Sequence, residues 1–245
     1  MKKRTKILIV ILAIVFAALA VCTGIYTNDY YRAVNVSAGF EKSNGVTVTK
    51  IKEGWFFDGP AEDKALLFYA GAKVEETAYA PLMKSLSEKG IDCFLLKAPI
   101  KLPFFSVSKA ESVMKRYSYE NYYLGGHSLG GLVAANDAAK HPRYFSGLFL
   151  LAAYPTEDLT AADFPVVFIY GTNDGVLNRE RLERGFTLVP EDYKTYKIEG
   201  GNHSGFASYG EQKGDNKATV SAKEQQEFTA KIILKTINEE NRRDL

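Results

Sequence analysis

The sequence predicts a three-layer α/β domain on a mostly parallel sheet, preceded by one N-terminal transmembrane helix. Three observations predict it. Short apolar runs without polar alternation recur along the chain, as expected of strands buried on both faces. Segments with helical spacing lie between them, which implies parallel βαβ crossovers and a doubly wound sheet. Ahead of these, residues 7–26 form an uncharged run of 20 residues that leaves the apolar set only at Thr23 and Gly24.

As a helix, that first run spans about 30 Å, the thickness of a bilayer core. A buried core helix would show a polar stripe, and this run has none. Lys2, Lys3, Arg4 and Lys6 precede it, and the first acid is Asp29. Positive flanks stay in the cytoplasm, so a retained single-pass anchor leaves the following domain outside the cytoplasm at the cell membrane. The competing reading is a cleaved signal peptide with Ala18-Leu19-Ala20 as its small-x-small site, which gives a secreted protein. The run is long for a cleaved peptide and continues through Ile25, which favours the anchor. The expected organisation is a basic tip and anchor over 1–26, a polar linker over 27–44 and one domain over 45–245.

Elements follow in order. Residues 46–51 alternate with period two and read as a half-buried strand, with Trp55, Phe56 and Phe57 as its hairpin partner across Gly54. Residues 65–70 are a continuous apolar strand ending at Gly71. Residues 78–89 place Tyr79, Leu82, Met83 and Leu86 on one helical face and stop at Gly90. A strand at 91–96 and a helix at 106–117 come next. A strand at 122–124 ends in Gly125-Gly126, and a helix over 129–140 closes at His141-Pro142. Strands at 148–152 and 165–170, a helix at 178–188, a strand at 193–198 and a helix at 221–238 complete the domain.

Composition narrows the function classes. The 245 residues are 46% hydrophobic and 24% charged, which excludes bulk disorder. Basic residues number 31 against 29 acids, but four of the basic ones lie in the N-terminal tip, so the remainder is mildly acidic. No basic field for nucleic acid is expected. Cys22 lies in the apolar run and Cys93 in a strand, so a disulfide between them is not expected. Cys93 reads as a small buried hydrophobe.

In doubly wound sheets ligands sit beyond the carboxyl ends of the strands, which directs attention to the loops after residues 70, 124, 170 and 198. The second reads Gly125-Gly126-His127-Ser128-Leu129-Gly130-Gly131. A glycine-x-serine-x-glycine between strand and helix is a nucleophile elbow, where small flanking residues permit a sharp turn that lifts the hydroxyl. The helix N-terminus behind it favours developing negative charge. A serine nucleophile needs a base. His127 is adjacent to Ser128 and should point elsewhere, and His141 sits at a helix end. His203, in the glycine-rich loop after the last strand, suits a general base. Asp174, directly after the 165–170 strand, suits the group that orients it, while its rivals Asp158 and Asp163 precede that strand. The oxyanion donors expected are the N–H groups of Leu129 and Ala72.

These residues carry a resemblance. Phe68-Tyr69-Ala70-Gly71-Ala72-Lys73-Val74, Gly126-His127-Ser128-Leu129-Gly130-Gly131, Tyr170-Gly171-Thr172-Asn173-Asp174-Gly175, and Gly201-Asn202-His203 with Tyr209-Gly210-Glu211-Gln212-Lys213-Gly214-Asp215 together resemble the small membrane-anchored bacterial α/β-hydrolases of the dienelactone-hydrolase-like kind, over roughly residues 45–240. The resemblance implies the α/β-hydrolase fold with Ser128 as nucleophile, Asp174 as acid and His203 as base. Two departures stand out. Ala70-Gly71-Ala72 replaces the Pro-Gly-Gly common in such loops, and Ser128 stands where dienelactone hydrolases proper use cysteine.

Only residues 153–164 separate two strands where many α/β-hydrolases insert a cap, so no cap domain is expected. Residues 206–218 are the best lid candidate. No phosphate-loop, dinucleotide or metal-ligand motif occurs, and no cofactor or metal is implied. The expected function is a serine hydrolase cleaving a small ester or thioester through an acyl-enzyme. The alternatives are an acyltransferase using the same residues and a non-catalytic binding module on a hydrolase scaffold. The expected partners are a small-molecule acyl substrate and, through the N-terminal helix, the membrane.

Overall fold

The computed structural model describes residues 3–43, 45–60, 63–107 and 109–240. Lys2, Ser108 of the helix expected at 106–117, and residues 241–245 of the expected domain lie outside the described residues. The chain divides into two compact units, Met1–Tyr30 and Tyr31–Leu245. The first contains helix α1, Lys3–Asn28. Its stretch Arg4–Gly24 is long and apolar enough to cross a membrane by length and composition, a property that anchors and signal sequences share.

The second unit is organised by an eight-stranded sheet. Its strands are β1 (Thr47–Lys50), β2 (Gly54–Asp58), β3 (Lys64–Tyr69), β4 (Asp92–Leu96), β5 (Asn121–His127), β6 (Gly147–Leu151), β7 (Val166–Gly171) and β8 (Lys194–Ile198), in the order β1-β2-β4-β3-β5-β6-β7-β8. β1 and β2 form the expected hairpin, with Thr49 opposite Phe56 and Val48 opposite Phe57. β1–β2 and β2–β4 are antiparallel, and the other five neighbouring pairs are parallel. The carboxyl ends of β3 to β8 therefore share one edge.

Helices α2 (Ala80–Ser87) and α6 (Ala222–Glu240) cover one face, while α3 (Lys109–Met114), α4 (Leu129–Lys140) and α5 (Arg179–Phe186) cover the other. This explains the continuous apolar runs. In β3, Leu66 and Phe68 join the core under α2 and α6, whereas Ala65, Leu67 and Tyr69 join the opposite one. Each large side chain so buried contributes about 1.5–3 kcal/mol relative to exposure. α6 starts with a reciprocal cap, in which Ser221 Oγ accepts the Glu224 N–H at 3.2 Å and the Glu224 carboxylate accepts the Ser221 N–H at 2.8 Å. Cys93 is buried, and both cysteines are free.

Three local expectations change. The helix expected at 106–117 is shorter, because Tyr117 leaves the helical path to pack its ring against Phe56 and Phe94. The strand expected to stop before Gly125 continues to His127, since Gly125 and Gly126 pair with both β3 and β6. The compact unit begins at Tyr31, within the stretch read as a linker. Tyr31 donates its N–H to the Lys73 carbonyl at 2.7 Å, and Phe40 sets its ring edge-on to Trp55.

One buried polar pair spans β3 and α4. The Tyr69 hydroxyl donates to the Asp137 carboxylate. Burial pushes the Asp137 carboxyl up to about 6, against the opposing effect of the Tyr69 hydrogen bond. An acid raised on folding binds its proton more tightly in the native state, so stability falls as pH climbs from the ordinary carboxylate range through about 6. Asp137→Asn, which keeps an acceptor for Tyr69, is expected to gain about 1–3 kcal/mol relative to wild type between pH ~4 and ~6 and then level off. Thermal unfolding of both proteins across pH measures this, and a difference that is flat with pH contradicts it.

Candidate active site

At the carboxyl end of β5 the chain turns into α4 at Ser128, which has φ +53° and ψ −123°. Positive φ is strained for a residue with a Cβ. The surroundings hold it there: the Ser128 N–H donates to the Leu151 carbonyl at 2.9 Å, and its carbonyl accepts from Gly131 at 3.0 Å and Leu132 at 3.3 Å. Two glycines make the approach possible. A Cβ on Gly130 would lie 2.3 Å from the carbonyl oxygens of Tyr69 and Ala70, and one on Gly126 would lie 2.5 Å from the Gly130 backbone. The start of α4 thus rests directly on the loop after β3.

Asp174 follows β7 and His203 follows β8. The structure brings them together, with His203 Nδ1 2.9 Å from Asp174 Oδ2. The other oxygen, Oδ1, accepts the N–H groups of Val176 at 2.8 Å and Leu177 at 2.7 Å. Burial alone would raise the Asp174 carboxyl. The hydrogen bond and charge of His203, with the two backbone donors, outweigh it and hold the carboxyl below its ordinary value. A carboxylate opposite Nδ1 fixes the tautomer: Nδ1 carries the proton and Nε2 the lone pair. Nε2 is buried and has no partner among the described residues. Ser128, Leu129 and His203 line one cleft of about 150 Å³, closed laterally by Leu132, Ala152, Ala153, Tyr154, Val176, Leu177 and Asn178. Larger cavities, of about 400 and 740 Å³, lie along α3 and α4 and beside residues 202–223, and neither includes Ser128.

Neither the Leu129 nor the Ala72 N–H donates to a protein acceptor among the described residues. Leu129 is the first residue of α4, where N–H groups lack intrahelical acceptors. Ala72 lies outside the residues lining the cleft. It sits between Gly71, whose N–H donates to the Tyr79 hydroxyl at 3.0 Å, and Lys73, whose N–H donates to the Lys101 carbonyl at 2.8 Å.

His127 points away from the cleft, as expected. Its Nδ1 is 2.7 Å from the Tyr79 hydroxyl, and its ring centroid is 4.6 Å from that of His203. Burial first, and then the neighbouring His203, hold the His127 imidazole well below its ordinary value, so it is neutral. Burial raises the Tyr79 phenol, which stays protonated. With the Gly71 N–H already donating to it, Tyr79 gives its single proton to His127 Nδ1. The sequence showed Tyr79 only as a core position. His141 is exposed and stacks on Tyr144, while Asp158 and Asp163 are surface groups.

Residues 206–218, the lid candidate, are tied to the neighbouring loops. Phe206 and Tyr209 are buried, Asn202 Nδ2 donates to the Asn216 carbonyl at 2.8 Å, and Asn173 Nδ2 donates to the Lys217 carbonyl at 3.2 Å. Residues 152–165 contain no helix or strand. Among the described residues, no group of three or more His, Cys, Asp or Glu is placed to hold a metal ion.

The sequence pattern described as the alpha/beta hydrolase family matches residues 65–227. Solved structures share the fold. Est1E from Butyrivibrio proteoclasticus is 14% identical, with a TM-score of 0.56 over 79% of this chain and 99% of that one. Dienelactone hydrolase from Anabaena variabilis is 11% identical, with a TM-score of 0.60 over 80% and 98%. A predicted CIB-like hydrolase from Thermoplasma acidophilum is 11% identical, with a TM-score of 0.57 over 78% and 100%. No curated protein matches the chain in sequence.

The glycine contacts predict the effect of a single methyl. Gly130→Ala forces α4 off the loop after β3 and is expected to cost about 1–3 kcal/mol. Thermal unfolding reads this directly, and an unchanged midpoint contradicts the close approach.

Proposed function

The chain belongs to the alpha/beta hydrolase family, and on that premise we propose that it is a serine hydrolase acting on small carboxylic esters or thioesters. The observation that carries the reading is His203, bonded through Nδ1 to Asp174 and leaving Nε2 without a partner among the described residues, in the cleft it shares with Ser128.

In this reading Nε2 takes the Ser128 proton as Oγ attacks the acyl carbon, and the Asp174 carboxylate stabilises the imidazolium that forms. The Leu129 and Ala72 N–H groups receive the oxyanion. The imidazolium then gives its proton to the leaving alcohol or thiol, and the acyl-enzyme forms. Water, deprotonated by Nε2, attacks the acyl carbon, and collapse of the second tetrahedral species frees the acid and returns the proton to Ser128. The cleft of about 150 Å³ suits a short acyl group. A cavity of that size elsewhere admits a ligand as large as benzene.

A fluorophosphonate probe is expected to label Ser128, and the wild-type protein to hydrolyse nitrophenyl acetate. Ser128→Ala is expected to lower kcat by about 10⁴–10⁶-fold and Asp174→Asn by about 10³–10⁴-fold. Equal rates in wild type and Ser128→Ala exclude the mechanism.

We further propose that α1 is retained as an anchor, with the hydrolase domain outside the cytoplasm. The length and hydropathy of Arg4–Gly24 and the absence of charge over residues 7–26 support this. N-terminal sequencing of the membrane-extracted protein is expected to begin within the basic tip, and a start at Val21 contradicts retention.

A further inference from the structure

The loops bearing Asp174 and His203 are joined by a third segment, and one of its side chains, Asp215, bonds to both. Asp215 Oδ1 accepts the N–H of Gly175, the residue after Asp174, at 3.0 Å. Its other oxygen, Oδ2, accepts the N–H of Ser204, the residue after His203, at 2.9 Å. The side chain is itself anchored, since Oδ1 also accepts the Asn216 N–H at 3.0 Å and the Asp215 N–H donates to the Gln212 carbonyl at 3.1 Å. The pairing of β7 with β8 fixes the two strands up to Gly171 and Ile198. Beyond those residues the Thr172 N–H still donates to the Ile198 carbonyl at 3.0 Å, the Gly200 N–H to Thr172 Oγ1 at 2.9 Å and the Asn173 N–H to the Gly201 carbonyl at 2.8 Å; past Asn173 and Gly201 the Asp215 carboxylate joins Gly175 to Ser204. A carboxylate offers two acceptor oxygens in one plane and charge-assisted bonds about twice as strong as neutral ones. An amide of the same shape offers one acceptor and turns a donor toward the other N–H.

We propose that Asp215 is a positioning residue, whose two oxygens set the spacing of the Asp174 and His203 loops and so aim the His203 imidazole at Ser128. The proposal rests on the hydrolase reading above for its effect on turnover, but not for its effect on the Asp174–His203 pair. The titratable groups facing the imidazole are Asp174, from the loop after β7, and His127, from β5. Asp215 touches neither side chain in the hydrogen bonds described and acts through the backbone of their loops.

The test uses the full chain in detergent micelles and the isosteric Asp215→Asn. Its kcat for nitrophenyl acetate, per fluorophosphonate-titrated site, is expected to fall about 10–100-fold, the scale of a sub-ångström to 1 Å misplacement. KM should stay within about twofold. The low-field proton resonance of His203 Nδ1–H is expected to move upfield or vanish. A merely structural role lowers the melting midpoint and the number of titrated sites, but leaves that resonance and the kcat per site at wild-type values. Such a result overturns the proposal. Should Asp215→Asn not fold, Asn173→Ala cuts the parallel tie to the Lys217 carbonyl, and a several-fold loss with the same change in the resonance is expected. Wild-type values there also overturn it. If the wild-type protein shows no Ser128-dependent turnover, the hydrolase reading has failed, and the resonance alone decides whether Asp215 sets the pair.

Discussion

The site depends on backbone lying against backbone where β5 turns into α4. Gly126 and Gly130 leave no side chain between the helix start, the preceding strand and the carbonyls of Tyr69 and Ala70. That contact keeps Ser128 at a positive φ, places the first N–H of α4 beside the loop after β3, and stacks α4 on the sheet. The strain at one residue is small against the apolar area buried by the helix and sheet that impose it. Because the turn is over-determined from both sides, the serine is presented at the edge of the sheet.

Around that turn, charge is assigned by burial and by the count of donors. Asp174 keeps its charge because three donors converge on it: the His203 ring and two backbone N–H groups. His127, a ring's width from His203, is denied charge by burial and by its neighbour. The two histidines therefore differ in kind despite their contact. One faces a carboxylate and can be stabilised as an imidazolium, while the other faces a neutral phenol. The Tyr79 hydrogen bond to Nδ1 helps keep His127 neutral.

Much of the fold was legible because β3 to β7 are buried on both faces and read as unbroken apolar runs between helical segments. The places of Ser128, Asp174 and His203 were legible because each lies in the segment after a parallel strand, so position along the chain became position on one edge of the sheet. Less was legible where local pattern and tertiary role diverge. Gly125 and Gly126 look like a turn, but they are ladder residues whose lack of side chains admits Phe68 and the start of α4. Tyr79 falls on the apolar face of its helix, and its hydroxyl finds His127 forty-eight positions away. Residues 206–218 are polar and irregular, and the ties that Asp215, Asn216 and Lys217 make to two other loops follow from no spacing rule.

The bridge between Tyr31 and Val74 carries one more consequence. Tyr31 donates to the Lys73 carbonyl and accepts from the Glu75 N–H, so the first residue of the folded unit is stitched to the strand of loop that begins at Gly71. That stitch precedes every strand of the sheet along the chain. A force on Tyr31 would thus be felt first in the loop that packs against the start of α4, rather than in the core.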